Sequence, residues 1–570
     1  MKKILSIILL FTSLALSQND PPGDGGKEGG FLSDLGPYIK LTGEAGTYGE
    51  LYSISGMTSR RPPKTGRIFL RPTLILFDNI KLAFDLFLST EGNSAKQQMD
   101  QLAVHPSWGW GQAHIGDFTH ELSKYTLSGV NIRGLGVEFF PGIFRIHLLG
   151  GQTQRAVAGT PFESAYARYI YAMKLGFGKK ESSHIDLNLM RASDDVKSVS
   201  RDRFMQIQQD SVLIGGVYTP KTDTIFSGVT PQENLVIGTN FLLKILNGVV
   251  QMRGEAAGSI YTKDMYSENY QTDQVPDIAK SIYRSRISTS ADYAYNADVT
   301  YQQRGYNAKV GYKVIGPGYT SLGLASVIND KRIIDGAIGF QLLKGMITVR
   351  TTYANQRDNL LDQKINTTTR NDFSLNTSVR PITELMLSLN YVNNNLENDA
   401  KNDTFKLDNT NHSYNFTGTY QFELFKLKQI LLTTYAYQTF NDNNILRQGN
   451  GAQSQNIILN LTTIIDQTWN TSLGFQMNTV TVQNEDKSTF GFSGRVSQKM
   501  FNGQLNNSLS YSFNTSSVSN TNNIQVGSNY SVTQSSAIVL NVRTTFFSGK
   551  PPAQYNFTEI IGSLGYSYRF

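Results

Sequence analysis

Apolar and polar side chains alternate with a period of two along most of this chain, most regularly in its C-terminal half. In residues 414–424 every second position is apolar or glycine, and the positions between them are Asn, Thr, Gln or Glu. The same scheme recurs, with small lapses, in segments 373–380, 471–478, 505–514, 524–532 and 538–546. Because neighbouring side chains of a strand point to opposite faces, each segment is predicted to be a strand with one apolar and one polar side.

The connections between these strands are short and long in alternation. Short turns lie near residues 78, 141, 180, 247, 305, 344, 382, 427, 466, 502 and 534, and the long polar connections include 193–232, 393–411 and 441–455. Short turns at one end and long loops at the other are typical of a transmembrane β-barrel. A secreted protein of several β-sandwiches shows the same alternation within its strands and is the alternative architecture.

The same connections set the expected number of strands. Eleven short turns, with both ends of the chain on the same side, predict a single all-β, antiparallel, up-and-down transmembrane barrel of about 24 strands, because bacterial barrels have even counts. A hairpin hidden within 91–140 or 316–335 would change that count by two, so the range is about 22–26. The barrel is expected to occupy residues 36–570, with long extracellular loops.

The N-terminal residues and the composition place this barrel in the cell envelope. Two lysines precede the apolar run 4–14 and small residues follow it, so residues 1–17 are expected to be a cleaved signal peptide. Residues 18–35 are rich in Gly, Pro and Asp and are expected to form a flexible tail. The chain has no cysteine, and no later run of about 18 apolar residues provides a spanning helix. Export without a helical anchor makes the outer membrane the expected location of such a barrel.

The chain ends on a strand with alternating aromatic residues, SLGYSYRF. Its apolar side chains share one lipid-compatible face, and Ser563 and Arg569 lie on the other. This ending resembles the last strand of Gram-negative outer-membrane β-barrel proteins, in which a polar residue, a glycine and two alternating aromatics are read by the barrel assembly machinery. The resemblance implies that the C-terminal insertion signal consists of Ser563, Gly565, Tyr568 and Phe570.

A looser resemblance is confined to three blocks of the chain. Residues 108–156, GPGYTSLG at 316–323 and QRDNL at 356–360 are similar to parts of uncharacterised outer-membrane barrels of the Bacteroidota and their relatives. These blocks cover scattered regions, and the resemblance implies no activity.

The chain offers few side chains for catalysis or metal binding. Among its six histidines the only cluster in the sequence is His114, Asp117, His120 and Glu121. In an extended strand, His114 and His120 lie on one face but roughly 20 Å apart, too far to share a metal unless the chain bends at Gly116. No Gly-x-Ser-x-Gly motif is present, and no Ser/His/Asp combination has a fixed geometry. The sequence therefore predicts no catalytic residue, no metal site, no cofactor and no enzymatic activity.

Charged residues are concentrated on the polar faces of the N-terminal strands, whereas the C-terminal strands carry Asn, Gln, Ser and Thr there. If the polar face points inward, the predicted pore-lining residues are Asp85, Arg145, Asp186, Arg191, Arg253, Glu255, Asp298, Lys309, Lys313 and Arg350. These charges either form a constriction or hold a folded-in loop, or they only solvate a wide lumen. The long charged loops 193–232 and 259–290 are the predicted candidates for filling that lumen.

These features predict a porin-like pore or a substrate-selective channel for small hydrophilic solutes. The alternative is a non-conducting barrel that acts as the scaffold of a larger envelope secretion or assembly complex. An energised receptor is not expected, because no plug domain precedes the first strand near Pro37. Expected partners are outer-membrane lipid, the barrel assembly machinery, and either solutes or an unknown envelope protein. A net charge of +7 over 570 residues predicts no binding of nucleic acid.

Overall fold

The regular secondary structure of the described residues is β-strand, apart from a few single 3₁₀ turns. The computed structural model describes residues 38–91, 101–160, 163–200, 205–214, 217–226, 228–270, 283–447, 449–483, 485–551 and 555–570, so the predicted signal peptide and tail lie outside the described residues. Its strands are β1 (Ile39–Ser55), β2 (Lys64–Leu76), β3 (Ile80–Ser89), β4 (Gln101–Trp108), β5 (Gly111–Thr119), β6 (Asn131–Phe139), β7 (Phe144–Gln154), β8 (Arg168–Gly178), β9 (His184–Asp194), β10 (Met205–Ile214), β11 (Val217–Phe226), β12 (Glu233–Ile245), β13 (Val250–Thr262), β14 (Thr289–Gln303), β15 (Tyr306–Ile315), β16 (Lys331–Leu342), β17 (Ile347–Arg357), β18 (Thr368–Ile382), β19 (Leu385–Asn398), β20 (Asp408–Leu424), β21 (Leu427–Asp442), β22 (Ala452–Ile464), β23 (Trp469–Val482), β24 (Glu485–Met500), β25 (Leu505–Ser516), β26 (Ser519–Ser531), β27 (Ser536–Gly549) and β28 (Asn556–Arg569). Single 3₁₀ turns lie at Leu246–Gly248, Leu343–Gly345, Ile445–Arg447 and Phe501–Gly503. Within these ranges, no helix has the length and apolar character that a membrane crossing would require.

Twenty-six of the strands form one closed barrel. Each pairs antiparallel with its neighbours in the chain, and β9 pairs with β12 because β10 and β11 form a separate hairpin. The barrel closes where β1 pairs with β28 over twelve residue pairs, from Glu44 opposite Arg569 to Ser55 opposite Thr558. With a strand tilt of about 40° and a spacing of about 4.8 Å, a circular barrel of this size is about 50 Å across. The predicted all-β up-and-down barrel is confirmed, with a strand number at the top of the predicted range.

The two strands beyond the central prediction come from one hairpin that the sequence pattern does not reveal. Residues 109–110 form a tight turn between β4 and β5, and Trp108 pairs with Gly111 across it. This turn lies within residues 91–140, one of the two regions in which an additional hairpin would change the predicted number of strands by two. The rings of Trp108 and Trp110 contact each other at a centroid distance of 5.4 Å. Bulky aromatic residues therefore occupy positions at which a turn is expected to show polar residues.

Three of the tight turns share a conformation that suits the glycine at the end of each. Leu-Asn-Gly at 246–248, Leu-Lys-Gly at 343–345 and Phe-Asn-Gly at 501–503 have positive φ at all three positions. In the first turn these angles are 53°, 55° and 88°. Glycine adopts positive φ at no steric cost, and asparagine enters the left-handed region more readily than most residues. These sequences therefore reverse the chain within three residues at the short-turn end of the barrel.

The two faces of the wall differ in polarity. On the outer face, Leu135, Tyr171, Val310, Leu473 and Leu564 are 56–67% exposed. On the inner face of β5–β15, many side chains are fully buried, and they form the largest apolar cluster of the described residues. The core of this molecule therefore lies inside the barrel, on one side of the lumen.

The long connections are shorter than the sequence pattern predicts, because strands extend into them. The predicted loop 393–411 is reduced to 399–407, and the predicted loop 441–455 is reduced to 443–451. The predicted loop 193–232 contains the hairpin formed by β10 and β11. Polar strands that continue beyond the apolar band resemble loops in composition, which explains the difference.

Candidate functional site

Two loops fold back into the barrel and meet there. Residues 120–130 connect β5 to β6, and residues 316–330 connect β15 to β16. Although these loops leave the wall far apart, the backbone N–H of Ser128 donates to the carbonyl oxygen of Gly323 at 2.9 Å. The N–H of Ala325 in turn donates to the carbonyl oxygen of Ser128 at 3.3 Å. Residues 120–130 and 316–330 are called the inner plug below.

An apolar core holds the inner plug against the wall. Leu127 and Tyr319, one from each loop of the plug, are 0% and 1% exposed. The wall side of the same core consists of Ile132, Leu149, Ile170, Ala172, Met190, Ala192, Val236, Ala257, Ala294 and Ile315. Inward faces of transmembrane barrels are ordinarily polar, because water or polar loops fill the lumen. This part of the lumen is instead packed like the interior of a soluble domain.

Buried polar groups of the wall bind the backbone of the plug. Glu255 on β13 accepts hydrogen bonds from the backbone N–H of Tyr125 at 2.8 Å and of Lys124 at 3.3 Å. The side-chain amide of Asn234 on β12 donates to the carbonyl oxygen of Thr320 at 3.1 Å. Burial raises the pKa of the Tyr125 hydroxyl, and the nearby Glu255 carboxylate raises it further. Since buried backbone groups need partners, these bonds fix the path of the plug through the lumen.

The loops predicted to fill the lumen are not the ones that form the plug. Among the described strands, the hairpin within 193–232 pairs only with itself. Residues 271–282 of the second predicted loop lie outside the described residues, so the prediction for them stays a prediction. Length and charge single out long loops, whereas the plug is built from shorter loops with buried apolar residues. Leu122 and Leu127 are examples, and apolar residues within a loop are the sequence signal that identifies them.

Next to the plug, four wall strands and the first plug residue bring imidazoles together around one carboxylate. Glu138 Oε1 lies 2.8 Å from His114 Nε2 and 3.4 Å from His120 Nδ1. Glu138 Oε2 lies 3.4 Å from His147 Nδ1, which is also 3.0 Å from His120 Nε2. His105 Nδ1 lies 2.9 Å from His114 Nδ1. These five residues are called the histidine cluster.

The histidine cluster is shielded from solvent. The side chains of His114, His120, His147 and Glu138 are 8–14% exposed. Phe118 stacks on His114 with a centroid distance of 5.1 Å and an angle of 19°. Burial lowers the pKa of His120, although the Glu138 carboxylate acts in the opposite direction. The imidazole of His120 is therefore neutral near pH ~7 and keeps a lone pair on one nitrogen.

This arrangement corrects the expected separation of His114 and His120. Their ring centroids lie 6.1 Å apart. The bend at Gly116 that would bring them together is present, with a φ of 99°. Asp117 belongs to the same sequence cluster but points to the outer face, where Arg133 Nε lies 2.8 Å from its carboxylate. The chain thus brings the two histidines together and turns the aspartate away from them.

A buried ion group lies beside the histidine cluster. Arg145 on β7 forms a close ion pair with Asp186 on β9, and Lys174 Nζ on β8 lies 3.6 Å from the same carboxylate. Asn240 donates a hydrogen bond of 3.0 Å to Asp186. Arg145 and Asp186 face inward as the sequence predicts. They bind each other, however, and are almost fully buried.

Seven further predicted pore-lining residues also lie on the inner face. They are Asp85, Arg253, Glu255, Asp298, Lys309, Lys313 and Arg350. Lys309 forms an ion pair of 3.0 Å with Asp335, and Lys313 Nζ lies 5.8 Å from the ring centroid of Tyr125 in the plug. Several of these charges therefore bind the plug or a neighbouring strand. Their role as pore-lining residues stays a prediction.

Arg191 lies on the outer face, which corrects its predicted inward position. Its neighbours Met190 and Ala192 are 0% exposed within the inner core, so the side chain between them points outward. Arg191 Nη2 lies 2.7 Å from Glu233 on the same face. Asp186 and Arg191 are an odd number of residues apart, so a regular strand cannot direct both inward.

The last strand closes the barrel with the predicted C-terminal residues in register. Ser563 and Gly565 pair with β1, and the rings of Tyr568 and Phe570 stack at a centroid distance of 5.9 Å. The backbone N–H and carbonyl of Phe570 both bond to Gly43. The role of these residues as an insertion signal stays a prediction.

The inner face on the other side of the barrel is lined mostly by uncharged polar residues, with a few charges such as Arg370, Asp372 and Arg495 among them. The inward positions of β18–β27 are mostly Asn, Gln, Ser and Thr, and we call this surface the amide wall. Its asparagines include Asn376, Asn390, Asn394, Asn411, Asn415, Asn456, Asn460 and Asn478, each partly or fully exposed. Among the described residues, the apolar core that covers the inner face of β5–β15 has no counterpart here.

The solved structures that are similar to this chain are Gram-negative outer-membrane β-barrels, among them porins and receptors. OccAB3 from Acinetobacter baumannii is 10% identical, covering 68% of this chain and 100% of that one, with a TM-score of 0.31. The translocation pore of the P pilus usher PapC is 9% identical, covering 93% of this chain and 99% of that one, with a TM-score of 0.32. The ferric-catecholate import receptor Fiu from E. coli K12, in its closed form, is 9% identical, covering 93% and 82%, with a TM-score of 0.36. No protein-family model matches the chain. No curated protein matches it in sequence.

Proposed function

We propose that this chain is an outer-membrane channel that conducts small hydrophilic solutes along its amide wall. The apolar outer face supports a membrane location, because an exposed apolar surface of this extent is stable against lipid rather than water. A closed barrel also pairs its backbone polar groups between strands, as a structure within lipid requires.

The contrast between the two sides of the lumen carries the proposal. On the β5–β15 side, the inner plug buries the inward face of the wall. On the β18–β27 side, the asparagines of the amide wall remain partly or fully exposed. A barrel about 50 Å across that is packed on one side leaves a water-filled passage on the other. Amides and hydroxyls bond to solutes of either charge, so we expect a passage with weak ion selectivity.

Electrical recording of the purified full-length barrel in planar lipid bilayers tests the proposal. The wild type is expected to conduct with weak selectivity. Asn456 and Asn478 are paired neighbours on the amide wall, so Asn456→Lys/Asn478→Lys places two cations together beside the passage. This double variant is expected to raise the permeability for anions relative to cations. Asn402→Lys, in the exposed loop 399–407, is the matched control and is expected to behave like the wild type.

Two outcomes would contradict the proposal. A barrel that inserts and remains folded but never conducts would favour the non-conducting scaffold. Conduction with the same selectivity in the double variant and in the wild type would mean that ions do not pass along the amide wall.

A further inference from the structure

The histidine cluster belongs to neither the apolar core of the plug nor the amide wall. We propose that it binds one divalent transition-metal ion through His114, His120, His147 and Glu138. Imidazole nitrogens with one carboxylate suit Zn²⁺, Ni²⁺ and Co²⁺, whereas Mg²⁺ and Ca²⁺ prefer sets of oxygen ligands. The four side chains come from β5, β6, β7 and the first residue of the plug, so an ion would join the plug to the wall.

The distances within the cluster are close to those of a coordination site. One ligand atom from each of His114, His120 and Glu138 lies within 4.8 Å of the others. In a tetrahedral zinc site with bonds of about 2.0–2.1 Å, neighbouring ligand atoms are about 3.3 Å apart. The contacts from Glu138 to His114, His120 and His147 measure 2.8, 3.4 and 3.4 Å. His114 and His120 contact Oε1 of Glu138 and His147 contacts Oε2, so the carboxylate lies between the three imidazoles, and an ion would be held where these contacts separate.

His147 provides an independent observation. His147 is 8% exposed, and its Nε2 atom has no hydrogen-bond partner among the described residues. A buried nitrogen without a partner is unusual in a folded protein and indicates a missing ligand or water. The other nitrogen of the ring, Nδ1, lies 3.0 Å from His120 Nε2 and 3.4 Å from Glu138 Oε2, so His147 is held within the cluster while Nε2 is left without a partner.

His105 is positioned to orient His114. The Nδ1 atoms of the two rings lie 2.9 Å apart, so one of them carries the hydrogen and the other accepts it. When Nε2 of His114 binds an ion, the hydrogen of that ring resides on Nδ1 and is donated to His105. Ligating histidines commonly donate their second nitrogen in this way, which fixes the tautomer and the ring orientation. His105 is therefore a positioning residue of the proposed site.

The charges around the cluster fit the same assignment. Glu138 is the carboxylate in contact with the imidazoles. The nearby cations Arg145 and Lys174 are both directed at Asp186. Glu138 is thus the carboxylate available to offset the charge of an ion bound by the imidazoles.

Metal titration of the full-length barrel in detergent tests the proposal. After treatment with a chelator, Zn²⁺ binding is measured by calorimetry, and Co²⁺ is used as a probe whose visible absorption reports the coordination number. We expect one ion per chain and the strong absorption of low-coordinate Co²⁺. His120→Ala changes a residue outside the strands and is expected to weaken Zn²⁺ binding at least about 100-fold. Glu138→Gln keeps the shape of the side chain and is expected to have a similar effect.

Two further variants separate the site from general effects on the barrel. His412→Ala is the matched control, because His412 on β20 contacts Asn393 at 2.9 Å and lies outside the cluster. It is expected to bind Zn²⁺ like the wild type. His105→Ala is expected to bind one ion with about 10–100-fold lower affinity. Circular dichroism verifies that each variant is folded. If His120→Ala does not fold, the Zn²⁺ affinity of Glu138→Gln tests the site instead. The assignment would be overturned if His120→Ala and Glu138→Gln both bound Zn²⁺ with the affinity of the wild type, or if His412→Ala weakened binding as much as they do.

Discussion

Replacing Glu255 is expected to release the first loop of the inner plug from the wall. The carboxylate accepts the backbone N–H groups of Lys124 and Tyr125 inside the barrel. Hydrogen bonds to a charged group contribute about 1.5–3 kcal/mol each, so Glu255→Ala removes about 3–6 kcal/mol and leaves the buried N–H of Tyr125 and the partly buried N–H of Lys124 without this acceptor. Since about 1.4 kcal/mol is a tenfold change, the lower value corresponds to a rise of roughly 100-fold in the released state.

The absence of cysteine from the chain provides a clean assay for this release. Leu127 is 0% exposed at the centre of the plug, so a thiol introduced there reacts with a maleimide only when the plug opens. When reclosing is faster than labelling, the labelling rate follows the opening equilibrium. We therefore expect Leu127→Cys/Glu255→Ala to be labelled roughly 100-fold faster than Leu127→Cys.

Glu255→Gln is the control for this experiment. Its amide oxygen still accepts a hydrogen bond but carries no charge, so labelling is expected to be faster than in Leu127→Cys and slower than in the alanine variant. Equal labelling rates in all three backgrounds would refute the conclusion that Glu255 holds the plug.

Two further predictions concern a bend and a pH response. Gly116→Ala places a Cβ atom 2.0 Å from the carbonyl oxygen of Leu102. We therefore expect the free energy of unfolding, measured in urea, to fall by more than about 2 kcal/mol. Gly49→Ala is the control and is expected to have little effect, because its Cβ meets no atom within 4 Å. Burial raises the pKa of Asp330, but hydrogen bonds from Lys364 and two backbone amides outweigh it and lower the pKa below 3.8. The stabilisation by Asp330 is therefore complete above pH 3.8 and is lost as the pH falls through the lowered pKa. Between about pH 7 and about pH 3, the melting temperature of the wild type should therefore fall more than that of Asp330→Asn. An equal fall in both proteins would contradict this role of Asp330.

The barrel could be predicted from the sequence because its order follows from local patterns. Alternating residues identify each strand and its outer face, and Tyr414 and Phe416 are both 41% exposed on that face. Because each strand pairs with its neighbour in the chain, the topology follows once the turns are placed. The hairpin at Trp108 and Trp110 escaped prediction because aromatic residues replace the usual polar turn.

The plug and the histidine cluster could not be predicted in the same way. Both depend on contacts between residues that are distant in the sequence, such as Ser128 with Gly323. The strand register determines that His105 faces His114 and that Glu138 lies between the imidazoles, and spacing within one segment does not encode it. Arg191 is a charged residue at an outward position of β9, so its polarity predicts the inner face while its position in the alternation directs it to the outer one.

The closure of the barrel by its first and last strands has a consequence for the cell that makes it. Tyr52 and Glu559, which meet across this seam, are 507 residues apart. Loop-closure entropy grows only slowly with length, so the distance itself is a modest cost. The greater hazard is time: until β28 arrives, the unpaired edge of β1 can capture any other extended chain. Both edges of the unfinished sheet must therefore be protected from the export of the chain until the barrel closes, and crowding by other unfolded barrel chains in the envelope should lower the yield.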